Sequence, residues 1–323
     1  MKHHVIVFGG ALLLACSAPL FAASVFPAKM VRLVIPFPPG GGTDILGRPM
    51  AQKLSEKWGQ QVVVDNRAGA GGNVGTELVA KSPPDGYTIE LGTNGTHAVN
   101  HSLYAKPNFH GVRDFAAITM VATTPNVLVL HPSVKATTIK ELISLAKSSP
   151  GQINYASPGA GTPPHLAAEI FSSMANIRLV HIPYKGAGPA ATDLLGGQVQ
   201  MMIANAPVVL PHIKAGKLRA LGTTSVKRPS ILPDVPTIAE SGLPGYEADT
   251  WYGMFAPAGT PRDIVQKLNA DIAQVLFSTE IRELYASQGA EVIGNGADQF
   301  AAQVRTESEK WAKVIRDIGL KVD

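Results

Sequence analysis

The chain has 323 residues, enough for two ordinary domains or one large one. At 45% hydrophobic and 16% charged, with 32 Gly and 25 Pro dispersed through it, the sequence supports a sizeable core and is neither collagen-like nor a disordered linker. A formal net charge of +4 leans weakly toward anionic ligands, while the lack of a Lys/Arg run or a basic stripe interleaved with aromatics argues against nucleic acid.

Lys2 and two histidines precede the apolar run Val5–Ala15, and small residues follow at Ala18, Ala22, Ala23 and Ser24. This is the layout of a secretory signal over residues 1–23, shorter in its apolar part than a spanning helix, and it directs the chain out of the cytoplasm. No later stretch reads as transmembrane. The single cysteine, Cys16, lies inside the signal, so cleavage near Ala22 or Ala23 leaves a mature chain without thiol catalysis, disulfides or cysteine metal sites. Leu13-Leu14-Ala15-Cys16 also resembles a lipoprotein processing site, which keeps lipid anchoring at Cys16 as an alternative.

Val31–Phe37 reads as a buried strand ended by Pro36, and the turn Pro38-Pro39-Gly40-Gly41-Gly42-Thr43-Asp44 follows. Leu46, Met50, Leu54 and Trp58 then recur at the spacing of a helix with one apolar stripe, with Pro49 near its first turn. The logic repeats: Gln61–Asp65 is a strand, Arg67–Asn73 a glycine-rich connection, and Val74, Leu78 and Val79 mark a helix. Tyr87–Gly92 is the next strand, running into a polar loop at Thr93–His97. Successive βα units of this kind predict an α/β protein with mainly parallel sheets.

A second region begins near residue 105. Val127–Leu130 is a strand, and Thr138-Ile139-Lys140-Glu141 is a capping box before the apolar face Leu142, Ile143 and Ala146. Ile153–Ala156 is a strand, Ser157–His165 another glycine-containing turn, and Leu166 and Ile170 open a helix. Further strands are expected at Ile177–Ile182, Val199–Ile203, Leu218–Gly222 and Trp251–Ala256. Thr260-Pro261-Arg262-Asp263 reads as an N-cap with a first-position proline, and Phe300, Val304, Trp311, Ile315 and Ile318 give a long final helix. Trp58 and Trp311 are expected as core anchors.

The two glycine turns, 38–44 and 157–165, carry the functional signal. Each joins a strand end to a helix start, where exposed backbone N–H groups and the helix N-terminus hold an anion without any catalytic base, and Thr43, Ser157 and Thr162 add hydroxyl donors. Asp44 beside the first turn suits ordering of amides, or reading an amino group, better than contact with a carboxylate. No Gly-Lys-Ser/Thr follows the glycines, and Gly69-Ala70-Gly71-Gly72 does not fit the dinucleotide fingerprint, so no nucleotide cofactor is expected. No Gly-x-Ser-x-Gly elbow and no compact histidine metal pattern occurs in the mature chain. His97, His165 and His181 all fall near strand ends; each reads as structural or as ordinary polar lining, with His165 placed to support a ligand indirectly.

The stretches Pro36–Asp44, Val62–Gly72, Pro84–Thr88, Tyr155–Gly159, His181–Gly186, Leu232–Thr237 and Ala256–Pro261 span nearly the whole mature chain in order. Through them the chain resembles the substrate-binding receptors of tripartite tricarboxylate transporters, the Bug-type periplasmic solute-binding proteins. The resemblance implies an α/β, two-domain periplasmic-binding-protein fold (type II, Venus-flytrap) with a hinge. Domain 1 is then residues 24–122 plus 226–323, and domain 2 is residues 123–225. It implies a monomeric, non-enzymatic periplasmic receptor, without cofactor or metal, that takes a small organic carboxylate (a dicarboxylate or an aromatic acid) and delivers it to membrane permease subunits. It places Phe37, Gly41, Gly42, Thr43 and Asp44 in one jaw and Ser157, Ala160, Gly161, Thr162 and His165 in the other. Asn94, Thr96 and Asn205 are further cleft contributors. A sensory receptor for a signalling partner and a secreted enzyme of similar fold remain as alternatives. No Lys or Arg stands in either jaw to meet a distal carboxylate.

Overall fold

The computed structural model describes His4 and residues 26–322. Apart from His4, the expected signal 1–23 and its Cys16 lie outside the described residues.

Three βα units open the chain. β1 (Val31–Ile35) leads to α1 (Gly42–Trp58), β2 (Val62–Asn66) to α2 (Asn73–Ala80), and β3 (Thr88–Thr93) to a π-helical turn, Gly95–Val99, and α3 (Asn100–Leu103). β1 pairs in parallel with both β2 and β3. The stripe Leu46, Met50 and Leu54 of α1 is buried with Leu33 and Ile35 in one cluster, as its four-residue spacing requires. Because α1 already starts at Gly42, Pro49 lies in its interior rather than near its first turn. The ring there removes the bond that an N–H would make to the Ile45 carbonyl. Thr93 ends β3, and Asn94–His97 is helical rather than a loop: the Thr96 hydroxyl accepts from Thr93 N (3.0 Å) and donates to Thr93 O (3.1 Å), closing the turn.

β4 (Phe115–Thr124) then runs through Pro125 straight into β5 (Asn126–Leu130). The second unit follows as α4 (Ile139–Ser148), β6 (Asn154–Ser157), α5 (Pro163–Ala175), β7 (Val180–Pro183), α6 (Ala187–Leu195), β8 (Met201–Asn205), α7 (Ala206–Lys214) and β9 (Arg219–Thr223). The expected capping box forms: Thr138 Oγ1 accepts from Glu141 N (3.2 Å), and the Glu141 carboxylate reaches back to Thr137 N (2.7 Å). The chain returns through β10 (Thr250–Pro257), α8 (Arg262–Leu276), α9 (Thr279–Ser287), β11 (Glu291–Val292) and α10 (Ala297–Ile318). Thr260 does not cap α8. Its hydroxyl donates to Pro257 O (2.8 Å), and Pro261 occupies the capping position.

Two sheets result, ordered β11-β4-β10-β3-β1-β2 and β7-β6-β8-β5-β9. The parallel βα pairs sit toward one edge of each, while β10 lies antiparallel between β3 and β4, and β5 lies antiparallel between β8 and β9. Both sheets are therefore mixed, because the two strands that follow an inter-domain crossing enter against the parallel direction. The stretch 226–248 packs with the second sheet: Ile238, Leu243, Tyr246 and Ala248 share a core with Leu128 and Phe171, and Tyr246 Oη donates to Ala167 O (2.7 Å). The crossings thus fall at Pro125 and Asp249, so packing carries 226–248 with the middle of the chain rather than with its C-terminal part. Asn126 ties them, its side chain donating to Ala248 O (2.7 Å) and accepting from Asn205 Nδ2 (2.8 Å). α10 covers the first sheet with Phe300, Val304, Trp311 and Ile315 buried against Val34 and Phe255. Trp58 is half-buried at the rim of that domain, where its Nε1 donates to Asp271 (2.7 Å).

Candidate functional site

The first turn carries the chain from β1 into α1 under two constraints. Gly40 sits at φ 80°, a left-handed conformation that a side chain resists, and Gly41 is an N-cap whose lack of a side chain leaves the helix end uncapped. The N–H groups of Gly42 and Thr43 consequently have no protein acceptor among the described residues. Asp44 braces the turn from behind. One carboxylate oxygen accepts from Gly40 N (3.0 Å) and Arg48 Nε (2.9 Å), the other from Asn66 Nδ2 (3.0 Å). Burial pushes the Asp44 carboxyl up, but the bonds from Arg48, Gly40 and Asn66 outweigh it and hold the group below the usual carboxylate range.

The second turn, between β6 and α5, is braced by neutral rings. Tyr155 stacks on His181 at 4.8 Å, and His181 on His165 at 4.2 Å. His165 Nδ1 accepts from Gly161 N (3.2 Å), which puts its proton on Nε2 toward Glu169. Ser157 Oγ accepts from Gly159 N (3.2 Å) and lies 2.6 Å from His181 Nε2, and Thr162 Oγ1 donates to Gly159 O (2.7 Å). Burial, with His181 adding to it, lowers His165 to about 3, and burial lowers His181 to about 4, so both are uncharged at neutral pH.

Between the turns lies a narrow cleft of about 30 Å³, room for roughly one water molecule. Of the expected residues, Phe37, Gly41, Gly42, Thr43, Thr162 and Asn205 line it. Asp44, Asn94, Thr96, Ser157, Ala160, Gly161 and His165 stand behind these walls and shape them. Asn94 Nδ2 donates to Asp249 O at the return crossing (3.1 Å), and Ala160 O accepts from Tyr104 Oη across the cleft (2.9 Å). His97 does not join the other histidines; it is buried in the first domain, stacked on Phe255 at 3.5 Å.

Sequence reasoning missed Thr93, Gly186, Ala187, Thr250 and Tyr252, all of which line the cleft. Gly186 carried a usable signal, since Pro183-Tyr184-Lys185-Gly186 is a third strand–glycine–helix junction. Tyr252 carried none. It reaches the cleft through the pairing of β10 with β3, and its hydroxyl lies so close to Gly42 that a Cβ there would overlap it.

Four helices, α1, α5, α6 and α7, present their N-termini to this cleft. Their dipoles make it electropositive without a cation: no Lys, Arg, Asp or Glu is among the described lining residues. Glu90, a buried residue of β3, is pushed up to about 8 by burial and is mostly uncharged at neutral pH. Among the described residues, no group of three or more His, Cys, Asp or Glu is arranged to hold a metal, and no helix is long and apolar enough to cross a membrane.

Known proteins place this architecture. Residues 46–320 match the family model described as the tripartite tricarboxylate transporter family receptor. The chain is 42% identical over 299 residues to a protein of the tcbD-tcbE intergenic region of Pseudomonas sp. (strain P51), covering 92% of this chain and 89% of that one. It is 40% identical over 307 residues to protein BugT of Bordetella pertussis, covering 95% and 94%. The R. palustris protein Rpa4515, solved with adipate, superposes with a TM-score of 0.89 at 38% identity, covering 92% of this chain and 99% of that one. With matching motifs, two α/β domains and a cleft between them, the chain belongs to the tripartite tricarboxylate transporter family of solute-binding receptors.

Proposed function

We propose that this receptor captures a small carboxylate anion between its two domains in the periplasm and delivers it to the permease subunits of a tripartite transporter. The observation that carries this reading is the uncapped start of α1. Gly42 and Thr43, whose amides have no protein acceptor among the described residues, line a cleft that contains the N-termini of three further helices and no formal charge among its described lining. A carboxylate supplies the acceptors those amides lack. The related Rpa4515 was solved with adipate, a dicarboxylate, which supports a carboxylate ligand here. Phe37 and Gly41 to Thr43 form one jaw of the clamp and Thr162 and Asn205 part of the other; Asp44, Ser157 and His165 hold the jaws in shape. The domains that move are residues 26–124 with 250–322, and residues 126–248, hinged at Pro125 and Asp249. Since the cleft takes little more than one water, a ligand enters by parting the jaws.

The test is a thermal-shift screen of the mature protein against small carboxylates, with calorimetry on the hits. A ligand present at 100 times its Kd raises stability by about 2.7 kcal/mol. Failure of every small acid, with tight binding of an uncharged sugar, would overturn the reading.

A further inference from the structure

The four helix ends at the cleft are not equivalent. In α5 the first two positions are Pro163 and Pro164, which have no N–H to offer. In α7 the Ala206 N–H already donates to Pro125 O (3.0 Å), and Pro207 follows. Only α1 and α6 keep donors on their first two positions: Gly42 and Thr43 in the first, Ala187 and Gly188 in the second, all without a protein acceptor among the described residues. These two ends face each other, since a Cβ on Gly41 would lie 4.0 Å from the Ala187 Cβ. A buried hydroxyl stands on the same side. Thr93 lines the cleft at 2% exposure with no partner for its Oγ1, and it pairs across the sheet with Tyr252, whose hydroxyl abuts Gly42. Gly42, Thr43, Ala187 and Thr93 thus line one and the same cleft. The other lining is Phe37 with Pro38, Pro158, Pro163 and Pro164, whose prolines offer no backbone donor, together with Gly186, Thr162, Asn205, Thr250 and Tyr252. The polar groups of these last five bond within the protein: Gly186 N to Pro158 O, Thr162 to Gly159 O, Asn205 to Asn126 and Thr250, Thr250 to Asn126, and Tyr252 with Thr124.

We infer that the ligand is a monocarboxylate with an apolar tail: its one carboxylate is held between the α1 and α6 N-termini, and its tail lies against Phe37 and the prolines. The inference rests on the carboxylate reading above and narrows it. A second carboxylate at the tail end would be buried without a cation or a free amide to compensate it.

Calorimetry on the mature protein with length-matched pairs tests this, hexanoate against adipate and benzoate against terephthalate. The monoacid of each pair is expected to bind at least about tenfold more tightly, which is about 1.4 kcal/mol. Tighter or equal binding of the diacids overturns the monocarboxylate assignment and leaves the carboxylate reading intact; no binding by any of the four, or by any acid of the screen, overturns both. The variant Ala187→Pro checks the α6 end separately. Proline is tolerated at a first helical position, so folding should persist while monoacid affinity falls about tenfold. Unchanged affinity in a folded Ala187→Pro protein overturns the role of α6.

Discussion

The first jaw is held from behind by ionic bonds, and the second by a stack of uncharged rings. Behind Gly40–Thr43, Asp44 gathers Arg48, Asn66 and the Gly40 amide into a bracket whose strength depends on a carboxylate being ionised. Behind Gly159–Thr162, Tyr155, His181 and His165 form a column that packs well only while both imidazoles are neutral. The front surfaces differ in the same sense. α1 opens with glycine and bare amides, whereas α5 opens with two prolines. Under the proposed function, the two strand–glycine–helix turns do different work: one offers donors, and the other offers shape and an apolar wall.

The most disruptive way to probe this asymmetry is Gly42→Val. The new side chain would overlap the Tyr252 hydroxyl, and its Cβ would come within 3.3 Å of the Asn205 Cβ on the opposite domain. Closure should fail, with carboxylate affinity down on the order of 100-fold and a smaller stability loss of about 1–3 kcal/mol from overpacking. Calorimetry beside urea unfolding checks it, and equal losses in both would make the turn purely structural.

Acid should separate the jaws next. His165 and His181 have folded-state values of about 3 and 4, below the ordinary 6.5, so the unfolded chain binds protons that the folded chain refuses. Their contribution is complete above about pH 6.5 and is lost as pH falls toward 4 and then 3, at up to about 1.4 kcal/mol per pH unit for each ring. Asp44 behaves differently. Its value is held below the ordinary 3.8, so its contribution persists until the pH drops through that range. Urea unfolding between pH 7 and 4 should therefore lose part of its slope in the double variant His165→Gln/His181→Gln and keep it in Asp44→Asn.

The gentlest probe is Tyr104→Phe. It deletes the bond from Tyr104 Oη to Ala160 O, which joins the two domains across the cleft (2.9 Å). Closure should weaken by about 0.5–1.5 kcal/mol, lowering affinity a few-fold while urea unfolding without ligand changes less.

Much of this organisation was legible in the residues. The stripe Leu46, Met50, Leu54 could serve only a one-faced helix, and Thr138 with Glu141 announced the start of α4. What escaped had physical reasons. β4 was missed because Phe115–Thr124 is largely buried, mixes Ala and Thr with its apolar residues and shows no alternation. α7 has no counterpart in the sequence reading; it holds Pro207 in its first turn and Pro211 in its interior, where a single bond is forgone. At the cleft, glycine turns could be recognised one by one, but which amides stayed unbonded depended on neighbours far away in sequence, such as Pro125 for Ala206. Tyr252 and Thr93 joined the cleft through sheet register, which no local pattern encodes.

The uncharged lining of the cleft has a kinetic consequence. Helix-end dipoles act over the distance of about one turn, whereas a cluster of lysines would project a field reaching tens of ångströms in dilute medium. A receptor built this way draws its ligand in by little more than random encounter and jaw motion. Its association rate should hardly respond to ionic strength, so a bacterium moving between fresh and saline surroundings would keep the same rate of capture.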